Sequence, residues 1–108
     1  MIEKEYSYKV TDNKNVERIV SDDNVDINHI LLQKGDFLPE HFSNSNVYLI
    51  LTRGKLTIQL NEQKPALYTA GSIIAVPYKI KMNIYNENED VLEFFIVKSP
   101  SPKFINQG

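Results

Sequence analysis

Apolar and polar positions along this chain alternate with a period of two over most of its length, and no long stretch carries the 3.6-residue period of a helix. Tyr6, Tyr8 and Val10 form one face of a first predicted strand, and Val16 to Val20 a second. Further strands are predicted near Val25–Lys34, Asn46–Arg53, Lys55–Leu60, Ala66–Thr69, Ser72–Val76, Lys79–Asn86 and Val91–Lys98. Polar clusters at Thr11–Asn15, Ser21–Asn24, Asn61–Lys64 and Asn86–Asp90 separate them. Short strands broken at such intervals predict an all-β sandwich or barrel with antiparallel pairing.

Two of these segments depart from simple alternation. Val47-Tyr48-Leu49-Ile50-Leu51 is apolar on both faces, and Val91-Leu92-Glu93-Phe94-Phe95-Ile96-Val97 repeats the pattern with only Glu93 interrupting it. A strand with one solvated face should alternate. An inward set of Val47, Leu49 and Leu51 leaves Tyr48 and Ile50 to be covered by another sheet, by the chain's own N-terminal strands or by a second subunit, and a homodimer is the expectation.

With 108 residues the chain has room for one domain, taken as 1–108, in which Ser99–Gly108, with Pro100 and Pro102, reads as a C-terminal tail that Phe104 and Ile105 could dock. The hydrophobic share of 42% and charged share of 24% are ordinary for a globular domain. A net charge of -2 with scattered basic residues argues against nucleic acid as a partner. The absence of Cys excludes disulfides and thiolate-held metals. The charged N-terminus and the lack of a long apolar run predict a cytoplasmic protein with no membrane partner.

Three glycines, Gly35, Gly54 and Gly71, carry the most specific signal. The segment from Gly35 through His41, Ser43 and Val47 to Gly54 resembles the first conserved motif of the cupin superfamily, which runs Gly, five residues, His-x-His, three or four residues, Glu, six residues, Gly. The segment from Gly71 through Pro77, Lys79 and Met82 to Asn86 resembles the second, which runs Gly, five residues, Pro-x-Gly, two residues, His, three residues, Asn. The resemblance implies a cupin double-stranded β-helix, a jelly-roll barrel. Gly at tight turns, Pro77 at a turn entry and Asn86 at a strand end suit that frame.

In metal-dependent cupins the same motifs supply two His, a Glu and a further His to a divalent ion. Here only His41 stands at its position. Ser43 replaces the second His, Val47 the Glu and Met82 the last His, while Lys79 replaces the Gly of the second motif. A hydroxyl, an isopropyl group and a thioether leave such an ion too few ligands, so no metal and no other cofactor is expected. The Asp22-x-Asn24-x-Asp26 run lacks the Gly and the terminal Glu of a calcium loop and reads as a polar turn. If the motifs align as written, His41, Ser43, Val47, Leu49, Met82 and Ile84 line the barrel as an apolar ligand pocket with two polar groups. Tyr78 and Tyr85 flank Met82 at its wall or rim. His29, on the face of Val25, Ile27 and Leu31, reads as a half-buried, hydrogen-bonded histidine.

The leading functional reading is a metal-free module that binds or senses a small molecule. One alternative is an isomerase, lyase or oxygenase that uses His41 as its acid–base group, with or without a weakly held divalent metal. Another is a structural dimerisation domain.

Overall fold

The protein is described here by a computed structural model covering residues 2–105, of which Phe104 and Ile105 are described in backbone only. Nine strands, β1 (Asn15–Ser21), β2 (Asp26–Leu32), β3 (His41–Phe42), β4 (Val47–Arg53), β5 (Lys55–Leu60), β6 (Ala66–Thr69), β7 (Ile73–Val76), β8 (Lys81–Tyr85) and β9 (Leu92–Lys98), precede one short helix, α1 (Pro102–Ile105). All strand pairs are antiparallel. They form a five-stranded sheet in the order β1-β2-β9-β4-β7 and a four-stranded sheet in the order β3-β8-β5-β6. The two sheets enclose one core, the jelly-roll barrel that the cupin resemblance implies. Among the described residues no helix is long and apolar enough to cross a membrane.

Alternation decides which residues fill that core. Val47, Leu49 and Leu51 of β4 point inward beside Leu92, Phe94 and Ile96 of β9 and Ile30 and Leu32 of β2. Leu56 and Ile58 of β5 meet them from the opposite sheet together with Met82 and Ile84 of β8. Burying each of these side chains contributes roughly 1.5–3 kcal/mol.

The turns are set by backbone geometry. Gly54 joins β4 to β5 with φ of 80°, and a Cβ there would lie 2.3 Å from the Val91 carbonyl oxygen, so no other residue fits. Lys79, which stands where the second motif has Gly, keeps the left-handed conformation that Gly would supply, with φ of 66°. Asn86 is fully buried and closes the end of β8, donating from Nδ2 to the carbonyls of Leu32 and Asp90 and accepting from the Asn88 amide. Asp22 takes the amides of Asn24 and Val25 on one oxygen, the polar turn expected of that run.

Several expectations need correction. Tyr6–Val10 is not a strand: it belongs to an arm ahead of β1 without strand pairing, held to the five-stranded sheet largely by side chains. The two-residue β3 is too short to show a period and is absent from the predicted set. The segment after Ser99 begins docked, because Ser101 is buried and its hydroxyl donates to Asp26, while Ser45 donates to the Pro100 carbonyl. A docking role for the Phe104 and Ile105 side chains falls outside the described residues.

Candidate functional site

The six residues expected to line an interior pocket have three different environments. Val47, Leu49, Met82 and Ile84 are 0–2% exposed and pack on one another and on Leu56, Ile58 and Phe94. They are core rather than the wall of an open cavity. The cause is simple: the ligand positions at Val47 and Met82 hold an aliphatic and a thioether side chain, and such groups gain most by closing on their apolar neighbours.

Ser43 is also buried, and its bonding is complete. Its hydroxyl donates to the Pro77 carbonyl at 2.6 Å and accepts from the Ile80 amide at 2.8 Å. Its backbone oxygen accepts from the Lys79 amide at 3.0 Å, and its own amide donates to the Ile80 carbonyl at 2.8 Å. Four hydrogen bonds therefore tie one residue to the turn between β7 and β8.

His41 pairs with Met82 across β3 and β8, so the two lie on the same side of the sheet, but the imidazole is exposed at the barrel's edge. Nδ1 lies 2.8 Å from the Pro39 carbonyl oxygen. A carbonyl only accepts, so Nδ1 carries the proton and Nε2 is the nitrogen left for solvent or a ligand. Among the described residues no carboxylate forms an ion pair with this ring. Tyr48 lies on the opposite sheet, paired with Ala75 and Val97.

The divalent ion of metal-dependent cupins does not fit these residues. Its four ligand positions hold one exposed imidazole, a hydroxyl committed to the Pro77–Ile80 turn, and two side chains sealed in the core. Among the described residues no group of three or more His, Cys, Asp or Glu side chains is placed to hold a metal.

The larger concavity lies on the outside of the four-stranded sheet. Its volume is about 880 Å³, and it runs from Lys34 and Glu87 at one end to Glu40 at the other. Register explains its floor. Gln59 of β5 sits opposite Asn83 of β8, placing two amides side by side on the face away from the core, since their neighbours Ile58 and Ile84 point inward. Phe37 forms an isolated bridge to Tyr85, so two aromatic side chains stand next to the amides. Phe37 is 65% exposed. Of the residues singled out in the sequence, Gly35, Ile84, Tyr85 and Asn86 border this groove. Phe37, Leu38, Gln59 and Asn83 carry no motif and become a group only through strand pairing.

A second polar cluster sits on the outside of the five-stranded sheet. His29 is fully buried rather than half-buried, with Nδ1 3.0 Å from Glu17 Oε1 and Nε2 2.9 Å from Glu93 Oε2. Both ring nitrogens thus face a carboxylate oxygen, and the Asn15 amide lies 3.4 Å from Nδ1. Tyr8 of the N-terminal arm lies over the ring at 4.7 Å between centroids, and Phe95 flanks it at 5.0 Å. Glu17 is held below the usual carboxylate range, first by the hydrogen bond from the Lys9 amide, against an opposing effect of burial, and further by His29. Burial pushes Glu93 upward, but hydrogen bonds from His29 and Thr52 and the nearby Arg53 guanidinium outweigh it and leave the carboxyl lowered. Arg53 also donates to Asp12 and to the Thr11 carbonyl. The cluster fastens the arm to the sheet, and its ring nitrogens and carboxylates are spent on one another.

Comparison with known proteins agrees with this fold. The chain is 48% identical over 107 residues to an uncharacterized protein of Methanocaldococcus jannaschii, a match covering 98% of this chain and 92% of that one. The crystal structure of that archaeal protein, described as an RmlC-like cupin family protein with a double-stranded β-helix fold, superposes with a TM-score of 0.94 over 98% of each chain. A cupin superfamily protein of Desulfitobacterium hafniense gives a TM-score of 0.72 at 13% identity, covering 85% of this chain and 83% of that one. The cupin domain of Cnp3 from Schizosaccharomyces pombe gives 0.72 at 12% identity, covering 88% of this chain and 68% of that one. These last two share the fold alone. No protein-family model matches the chain.

Proposed function

Since the chain belongs to the RmlC-like cupin family, we propose that it is a binding module for a small molecule and that its ligand sits in the groove outside the four-stranded sheet, not inside the barrel. The observation that carries this reading is the contrast between the two places. The interior positions are packed, whereas the groove has a volume typical of small-molecule sites, an apolar floor from Phe37, Leu38 and Tyr85, and amides at Gln59 and Asn83 to fix orientation. An enzyme built on His41 has less support, because an exposed imidazole tethered to a backbone carbonyl lacks the group that would orient it toward a substrate.

The test is a fragment screen followed by amide chemical shifts in two-dimensional NMR. Ligands should move the signals of Phe37, Gln59, Asn83 and Tyr85, and Tyr85→Ala should weaken them. Shifts confined to the neighbours of Met82 and Leu49, or no binding by any fragment, would refute the reading.

A structural role as a homodimer is the second reading, and one surface favours it. On the outside of the five-stranded sheet, Ile73 of β7 pairs with Ile50 of β4, and Ile50 in turn with Phe95 of β9. Tyr48 and Ile73 in this apolar row are 43% and 67% exposed. A second copy covering them would complete the apolar face that β4 and β9 share.

A further inference from the structure

We infer that the groove outside the four-stranded sheet selects small organic cations, amines or guanidines carried on a flat apolar body. This rests on the binding role proposed for that groove and adds the chemistry of its occupant.

The charge of the lining is mostly negative, while the Asn83 amide and Tyr85 hydroxyl can donate as well as accept. Asp36, Glu40 and Glu87 all border the groove, and among the described residues none of the three forms an ion pair. Lys34 is the single cation of the lining, and its ammonium is already paired with Glu89. Lys81, outside the lining, is engaged with Glu62 at 3.0 Å and is also within electrostatic range of Glu40. Gln59 commits the donor end of its amide to the Gln63 carbonyl at 3.1 Å, which leaves its carbonyl oxygen as the function to offer. An anion entering here meets three carboxylates, against which the lining sets only the Lys34 ammonium, already shared with Glu89. A cation meets complementary charge at both ends.

The floor adds a second requirement. Phe37 and Tyr85 stand side by side through their bridge, and Leu38 lies between Phe37 and the core. Aromatic faces attract cations as well as flat apolar groups, so ring and charge act on the same ligand. A hydrated metal ion gains nothing from Phe37, and a purely apolar molecule leaves the carboxylates unused. An organic cation uses both.

Three probes with one aromatic body separate these possibilities: phenethylamine, phenethyl alcohol and phenylacetate, each titrated into the protein at low salt and followed by amide chemical shifts. The expected result is that phenethylamine binds at Phe37, Asn83 and Tyr85 about tenfold more tightly than phenylacetate, a preference that shrinks as salt rises. The double variant Glu40→Gln/Glu87→Gln should lose that preference and keep its affinity for the alcohol. Equal binding of all three probes in the groove, or tightest binding of phenylacetate, overturns the cation inference while leaving the groove as the binding site. No shift at the groove with any probe overturns both.

Discussion

Ser43 holds Lys79 in the left-handed conformation: its backbone oxygen accepts the Lys79 amide at 3.0 Å while its hydroxyl bridges Pro77 and Ile80 on either side. The position that serves as a metal ligand elsewhere among cupins here organises a turn, and it does so for a residue that lacks the conformational freedom of the glycine it replaces.

Ser43→Ala should therefore destabilise the fold. It removes one donor and one acceptor from buried partners, the Pro77 carbonyl and the Ile80 amide, and leaving such groups unpaired costs about 1–3 kcal/mol. Urea denaturation followed by tyrosine fluorescence measures the loss, and a change under about 0.5 kcal/mol would contradict the structural role given to this hydroxyl.

Lys79→Gly should have the opposite sign. A left-handed φ costs an L-residue about 1–2 kcal/mol that glycine does not incur, and the greater freedom of glycine in the unfolded chain returns part of the gain. The net expectation is a stabilisation of about 0.5–1 kcal/mol in the same urea experiment.

The His29 cluster predicts how stability responds to acid. Both Glu17 and Glu93 are lowered in the folded protein from the ordinary value of 4.5, so the unfolded chain binds more protons as pH falls through that range. The stability these groups contribute is present above about pH 4.5 and is lost on acidification below it. Glu93→Gln should flatten this acid limb and, by weakening the hydrogen bonds to His29 and Arg53, cost about 1–3 kcal/mol at neutral pH. Urea midpoints between pH 7 and pH 3 give both numbers for the two proteins.

Self-association makes its own demand on the outer face of β4 and β7. Light scattering at micromolar concentration should return twice the mass of one chain, and Ile73→Lys should return a folded monomer whose urea midpoint, unlike that of the wild type, does not depend on protein concentration, because Ile73 is exposed in the single chain. A wild-type monomer would end the dimer reading.

The sequence was most informative where a residue type answers a local backbone need. Gly54, left-handed in the turn between β4 and β5, and Asn86, whose side chain takes the Asn88 amide at a strand end, can be recognised without a distant partner in view because those needs lie within a few residues. In β4 the inward set of Val47, Leu49 and Leu51 and the apolar outer pair of Tyr48 and Ile50 were likewise legible. What escaped was produced by pairing over distance. Ser43 was legible as a missing ligand, but its work depends on Pro77 and Ile80, more than thirty residues away. The groove needs Gln59 beside Asn83 and Phe37 beside Tyr85, and none of these types is unusual on a solvent face. Tyr6, Tyr8 and Val10 have the period of a strand, yet Tyr8 is used for ring contact with His29 and Phe95 rather than for a ladder.

The packed interior gives this barrel's history a direction. Val47 and Met82 have closed on their neighbours, so placing a carboxylate or imidazole at either position would bury an ionisable group in an apolar core before the remaining ligands existed to bind a metal with it. Each single step back toward metal chemistry would lower stability and bring no activity to select for. Substitutions on the groove, by contrast, alter exposed side chains at little cost to folding. New specificity in this lineage is therefore far more accessible to evolution on the outside of the barrel, and a designer seeking to repurpose the scaffold would do well to start there.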